Sequence, residues 1–234
     1  EKIVYMPNSY QVNVSKRRVS EASLLRHELG LPNTGFVFCC FNNNYKITPT
    51  TFAGWMRILK AVEDSVLWLM ESNSNTTKNL KKEAMKFGIN DDRLVFATYM
   101  PVEEHLNRIK QADLFIDTLP YNAHTTTSDA LRMGLPVLTC IGNSFASRVA
   151  ASLLNSINLP ELITTSQEEY ESLAIELATN PVKLKIIKDK LVSNLPTAPL
   201  YDTSLFTRHL ESAYSMMYDR YQRGLDPDHI YVKH

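Results

Sequence analysis

The chain is poor in glycine, with 7 in 234 residues, and neither GxGxxG nor GxxxxGK[ST] occurs in it. That excludes a nicotinamide or ATP site of the usual glycine-loop type. Cysteine is as scarce: Cys39, Cys40 and Cys140 all sit in apolar runs, without metal-ligand spacing or a disulfide framework. Buried free thiols and a reducing, cytoplasmic setting are therefore expected, with no metal site. No apolar run approaches the roughly 18 residues of a membrane span. Neither charge is in excess, with 25 Lys plus Arg against 25 Asp plus Glu. No bulk attraction to nucleic acid or to a membrane is expected from that balance. No repeat of about 20–50 residues is visible.

Against these absences stands a regular alternation of apolar runs and helical stripes. Strands are expected at residues 36–41, 65–70, 93–97, 113–117 and 136–140, with a short one near 161–164. The runs are continuously apolar, which fits strands buried on both faces. Helices are expected between them, among them 51–62 with the stripe Phe52, Trp55, Met56 and Leu59, and 77–87, stopped by Gly88. The pattern predicts an α/β fold: a Rossmann-like, doubly wound parallel sheet. Residues 1–35 read as a lead-in with a basic patch at Lys16-Arg17-Arg18 and a short helix ending near Gly30. Residues 36–165 form the core, and 166–234 add helices, the last at 203–223 with the stripe Leu205, Leu210, Tyr214 and Met217. The opening Glu1-Lys-Ile-Val-Tyr5 reads as the interior of a longer protein.

Ligands of open parallel sheets bind beyond the carboxyl ends of the strands. Three polar loops follow strands there: Asn42-Asn-Asn-Tyr-Lys46, Thr98 to His105, and Leu119 to Asp129. The last holds His124, Thr125, Thr126, Thr127, Ser128 and Asp129 ahead of a helix. A helix start with hydroxyls and an imidazole can cradle a phosphate. Thr126 and Asp129 also fit a capping box, which starts a helix and nothing more. His105 and Arg108 share a helix face three residues apart, and each loop has an ordinary reading as a turn or a solvated surface. Taken together, Lys46 can supply a cation to a diphosphate, the start at Thr126 its N–H groups, and Asp129 an acceptor for ribose hydroxyls. That set points to a nucleotide-sugar.

At these residues the sequence resembles a known family. Phe41-Asn-Asn-Asn-Tyr-Lys46-Ile, Glu103-Glu-His105, His124-Thr125-Thr126 with Asp129, and Ala146-Ser-Arg-Val-Ala-Ala-Ser152 are similar to the C-terminal catalytic half of the O-linked N-acetylglucosamine transferases. The resemblance runs over nearly the whole chain. It implies the C-terminal, nucleotide-binding half of a GT-B fold and a UDP-sugar donor, UDP-GlcNAc by family. The transfer it implies is inverting and needs no metal or other cofactor, and the acceptor is a Ser or Thr hydroxyl of a protein or peptide. By position, Lys46 would hold the diphosphate and help UDP leave. His105 and Arg108 would flank the uracil, which the Met100 backbone would also address. Thr125 and Thr126 would bind phosphate beside His124, and Asp129 the ribose. Two positions depart from the animal enzymes: Asn43 stands where a glutamine reaches the diphosphate or sugar, and Val102 where a lysine approaches the ribose. Related Spindly-type enzymes use GDP-fucose on a similar scaffold. The acceptor site and the general base would lie on an N-terminal catalytic half preceded by tetratricopeptide repeats, so this chain alone is expected to bind nucleotide without transferring sugar. The rival readings are a non-catalytic nucleotide-binding or interaction module and a GT-B-type epimerase, the latter needing an acid/base set that the residues do not supply.

Overall fold

The computed structural model describes residues 1–22 and 24–233. The strands are β1 (Val4–Tyr5), β2 (Val37–Cys40), β3 (Val66–Met70), β4 (Leu94–Ala97), β5 (Leu114–Ile116), β6 (Val137–Cys140), β7 (Ile163–Thr164) and β8 (Ile230–Tyr231). The α-helices are α1 (Pro49–Ala61), α2 (Ser74–Lys86), α3 (Val102–Ile109), α4 (Thr125–Arg132), α5 (Val149–Ser156), α6 (Gln167–Thr179), α7 (Pro181–Asn194) and α8 (Thr203–Gln222). Six strands form one parallel sheet in the order β4-β3-β2-β5-β6-β7. The chain winds outward from β2 through β3 to β4, then crosses back to β5 on the other side of β2. The strand order therefore reverses between β2 and β5, the position where such sheets open a ligand crevice. The expected α/β class and doubly wound parallel sheet are what the structure shows.

Local sequence accounts for the elements. Every residue of β2, β5 and β6 is buried, as continuous apolar runs in a two-sided sheet require. The α1 helix starts on Thr48, whose hydroxyl accepts from Thr51 N at 3.2 Å, with Pro49 in its first turn. Its stripe of Phe52, Trp55, Met56 and Leu59 is buried as read from the sequence. The α2 helix begins earlier than its apolar pattern indicates because the Asn73 side chain accepts from Thr76 N at 2.9 Å.

The stripe on α8 is only partly covered. Tyr214 and Met217 are exposed, and the buried residues are His209 and Ala213. The cause is a thin layer beneath the helix. Strands β1 and β8 pair in parallel as a separate two-stranded sheet, and Ala213 packs with Ile230 and Val232 there. A small residue fits that gap where a large one does not.

The α6 helix ties the C-terminal helices to the sheet. Tyr170 is buried; its hydroxyl donates to the Asp117 carbonyl at 2.9 Å and accepts from Trp55 Nε1 at 3.2 Å. Removing that hydroxyl leaves a buried N–H and a buried carbonyl without it, so Tyr170→Phe is expected to destabilise by about 1–3 kcal/mol. Urea unfolding should show a lower midpoint at an unchanged slope. A loss under ~0.5 kcal/mol would show that the bridge contributes nothing.

Candidate functional site

The site is built around a carboxylate. Asp117 directly follows β5 and is 3% exposed. Its Oδ1 accepts from Thr118 N at 2.7 Å, Ala123 N at 2.6 Å and Asn42 Nδ2 at 3.1 Å, and its Oδ2 accepts from Thr139 Oγ1 at 2.7 Å. One side chain thus joins the ends of β2, β5 and β6 and the loop before α4. Burial raises its pKa to about 6, against the pull of these donors. Near neutral pH it is mainly ionised, and an ionised carboxylate accepts only. Every contact it makes fits that form.

Asn42, at the end of β2, reads the same node from the other side. Its Nδ2 donates to Thr118 Oγ1 at 2.8 Å as well as to Asp117, and its Oδ1 accepts from Thr126 Oγ1 at 2.6 Å. This corrects the capping-box reading. The α4 helix starts at Thr125 after His124, whose side chain makes no cap, and the Thr126 hydroxyl is used on Asn42. The Asp129 carboxylate does not turn back to Thr126; it pairs with Arg17. The first intrahelical bond runs from Ser128 N to His124 O. The N–H groups of Thr125, Thr126 and Thr127 therefore have no acceptor within the helix and carry its positive end.

Lys46 reaches the same point from the loop after β2. Its Nζ donates to Asn122 O at 2.9 Å and lies 3.8 Å from the centroid of the Tyr121 ring. Partial burial draws its pKa below the usual lysine value, opposed by Asp117 and Cys40. Two of its three N–H donors remain for a ligand. His124 stands beside it, 5.2 Å from the Tyr121 ring, with Tyr10 and Phe145 as further neighbours. Burial, then the Lys46 charge, holds the His124 pKa down against its bond to Ala146 O. Asn43 is exposed, and its side chain turns inward to accept from Tyr45 N at 3.3 Å.

His105, Arg108, Met100 and Val102 form a second group. His105 stacks edge-on against Phe41 with centroids 5.2 Å apart. Arg108 is buried behind it, donating to His105 Nδ1 at 3.0 Å and to Thr98 O at 2.6 Å. Its guanidinium thus fixes the histidine and the loop after β4, and does not project to solvent. Met100 lies half-buried in that loop, and Val102 is 51% exposed at the start of α3. Burial first, and the Arg108 charge second, lower the His105 pKa from 6.5 to about 4.

Sequence reasoning named Lys46, His124, Thr125, Thr126 and Asp129, and the structure places them along one edge beside the switch point. It gave no individual role to Asn42, Asp117, Asn122, Tyr121 or Arg17. The signal for Asn42 and Asp117 was available: each is the first polar residue after a fully apolar strand. For Arg17, distant in sequence from Asp129, there was none. A cleft of about 880 Å³ opens at the opposite end of the sheet around Arg93. Arg93 there donates through Nε and Nη2 to Leu59 O, Val62 O and Ser65 O. Among the described residues no group of three or more His, Cys, Asp or Glu is arranged to hold a metal, and no helix is long and apolar enough to cross a membrane.

Residues 6–210 match the family model described as Glycosyl transferase family 41. The chain belongs to that family. It is 34% identical over 238 residues to a probable UDP-N-acetylglucosamine–peptide N-acetylglucosaminyltransferase, SEC, of Arabidopsis thaliana, covering 99% of this chain and 24% of the relative. It is 35% identical over 205 residues to the UDP-N-acetylglucosamine–peptide N-acetylglucosaminyltransferase of Caenorhabditis elegans, covering 88% and 18%. A solved mutant O-GlcNAc transferase of Thermobaculum terrenum superposes with a TM-score of 0.77 at 29% identity, over 91% of this chain and 40% of that one. The chain thus spans about a quarter or less of the curated relatives' length. Within this family 41 chain, the recognised GT-B resemblance and the observed parallel sheet agree.

Two outcomes follow from the buried groups. Asp117→Asn places an amide N–H against a set of donors, and a loss of about 1–3 kcal/mol is expected. Unchanged thermal stability would show that the node does not depend on charge. For His105, the unfolded state takes up a proton below pH 6.5 while the folded state resists to about 4. Stability from this group is lost as pH falls through that window. Asp117, raised from 3.8 to about 6, has the opposite slope, so the wild type alone hides the effect. The cost of His105→Gln should be greatest above pH 6.5 and shrink toward pH 4, measured by urea unfolding across that range. A pH-independent cost would mean that His105 is not held neutral.

Proposed function

We propose that this chain is the nucleotide-binding half of a family 41 transferase that moves N-acetylglucosamine from UDP-GlcNAc to Ser or Thr hydroxyls of proteins, with inversion and without a metal. The observation that carries the reading is the convergence at the β2/β5 switch point: Lys46 from one strand end, and the α4 start with His124, Thr125 and Thr126 from the other. A diphosphate seated there meets an ammonium group and three backbone N–H groups whose positions Asp117 and Asn42 fix beforehand. His105, backed by Arg108, and the Met100 loop line the side where the base would lie, and Asp129 lies farther along α4 toward the ribose.

In the reaction the acceptor oxygen bonds to the anomeric carbon as the bond from that carbon to the β-phosphate oxygen breaks. Charge grows on the departing diphosphate, and Lys46 and the α4 N–H groups are aimed at it before it forms. The acceptor proton goes to a base outside this chain. The partners proposed are an N-terminal catalytic half, tetratricopeptide repeats and a protein acceptor, in the cytoplasm. Val102 favours one second reading, a related transferase using another sugar nucleotide such as GDP-fucose, because it puts an exposed apolar side chain near the ribose.

Losing one preorganised donor costs about 2.7–4 kcal/mol in the transition state. Lys46→Ala in the complete protein should therefore lower turnover about 10²–10³-fold while UDP affinity falls far less. Equal losses in both would assign Lys46 to ground-state binding only. Calorimetric titration with UDP and GDP tests the base: binding of UDP that weakens in Asp129→Ala supports the reading, preference for GDP supports the second, and binding of neither leaves an interaction module.

A further inference from the structure

The basic run Lys16-Arg17-Arg18 lies on a strap that crosses the helices of the site. Its path is pinned at each end. Asn8 O accepts from Ser156 Oγ at 2.7 Å on α5, and Tyr10 stacks edge-on with Phe145 at 4.9 Å. Asn13 is buried; its Oδ1 accepts from Ser128 Oγ at 2.6 Å on α4, and its carbonyl accepts from Thr203 Oγ1 at 3.1 Å on α8. Beyond the basic run, Ser20 N donates to Glu103 O at 3.1 Å and Ala22 O accepts from Asn107 Nδ2 at 2.5 Å, both on α3. Between these anchors Arg17 ion-pairs with Asp129 through Nη1 and Oδ1.

We propose that Arg17 is a positioning residue for the nucleotide: by holding Oδ1 of Asp129 it turns Oδ2 toward a ribose hydroxyl. This rests on the nucleotide reading of the site given above. A carboxylate has about four lone-pair positions, so one arginine contact leaves acceptors for a sugar. The neighbouring cation, Arg132, acts on Asp129 by charge but places its hydrogen bonds elsewhere. Arg132 donates to Val14 O and Ser15 O and packs 4.1 Å from the centroid of the Tyr201 ring. The hydrogen bond described for the Asp129 carboxylate is therefore the one from Arg17. Burial pushes the Asp129 pKa up, and the charges of Arg17 and then Arg132 oppose it. The pair is partly solvated, with side-chain exposures of 38% and 18%. Solvated pairs add little to stability, so substitution at Arg17 is expected to leave the fold intact.

The test is calorimetric titration of the full-length protein with UDP and with 2′,3′-dideoxy-UDP at one ionic strength. The wild type should prefer UDP. Arg17→Ala should weaken UDP binding about tenfold, the scale of one hydrogen bond to a charged group, and leave dideoxy-UDP binding unchanged, so that the preference collapses. Arg17→Lys should restore part of it. Two results overturn the proposal: Arg17→Ala binds UDP like wild type, or both nucleotides weaken equally, which would make Arg17 a phosphate contact. Failure of the wild type to bind either nucleotide overturns the nucleotide reading itself along with it.

Discussion

The buried Asp117 carboxylate is the constraint on which the site depends. Four donors from three different strand ends and one loop meet on its two oxygens. Taking a carboxylate out of water is costly unless its lone pairs are occupied. Folding of the loop before α4 is therefore coupled to assembly of the sheet: the loop supplies two of the N–H groups that the carboxylate needs. The same coupling explains why this end of the sheet can present cations and N–H groups outward. Their backbone is held from beneath by a charge of the opposite sign.

From that node the layout follows by short steps. Asn42 passes the constraint to Thr126 and so to the first turn of α4. Asn122, anchored on Thr118 O at 2.8 Å, offers its own carbonyl to Lys46. Tyr170 holds the Asp117 backbone against α6. Lys46 and the first turn of α4 are thus supported by a second layer of buried polar side chains, an arrangement that keeps donors aimed without reorganisation. The group around His105 is separate in its wiring. Arg108 and Phe41 fix His105, and burial keeps that imidazole neutral.

Much of this was legible in the sequence because strands buried on both faces write continuous apolar runs, and a parallel sheet with helices between has few alternatives. The strands at Phe38, Leu67, Leu94, Phe115 and Leu138 could be read directly. The loops that close on the ligand edge followed from the carboxyl-end rule. The capping-box reading of Thr126 and Asp129 was a local inference, and it failed for a non-local reason. Both side chains found stronger partners, Asn42 and Arg17, that are far away in the chain. The α8 stripe stays partly exposed: what lies under a helix decides which of its faces is buried, and a two-stranded sheet offers little.

The amino-acid sequence by itself determined the element order, the parallel sheet, the family and the residue types available for a diphosphate. These depend on periodicity and on side-chain chemistry, which are local properties. Tertiary structure alone decided that Asp117 is the node, that Arg108 supports His105 from behind, and that Arg17 meets Asp129 across 112 positions of the chain. A hydrogen bond requires two groups at one place with matched geometry. Sequence spacing sets that only within a helix or a turn; between strand ends and a strap, packing of the whole sheet sets it.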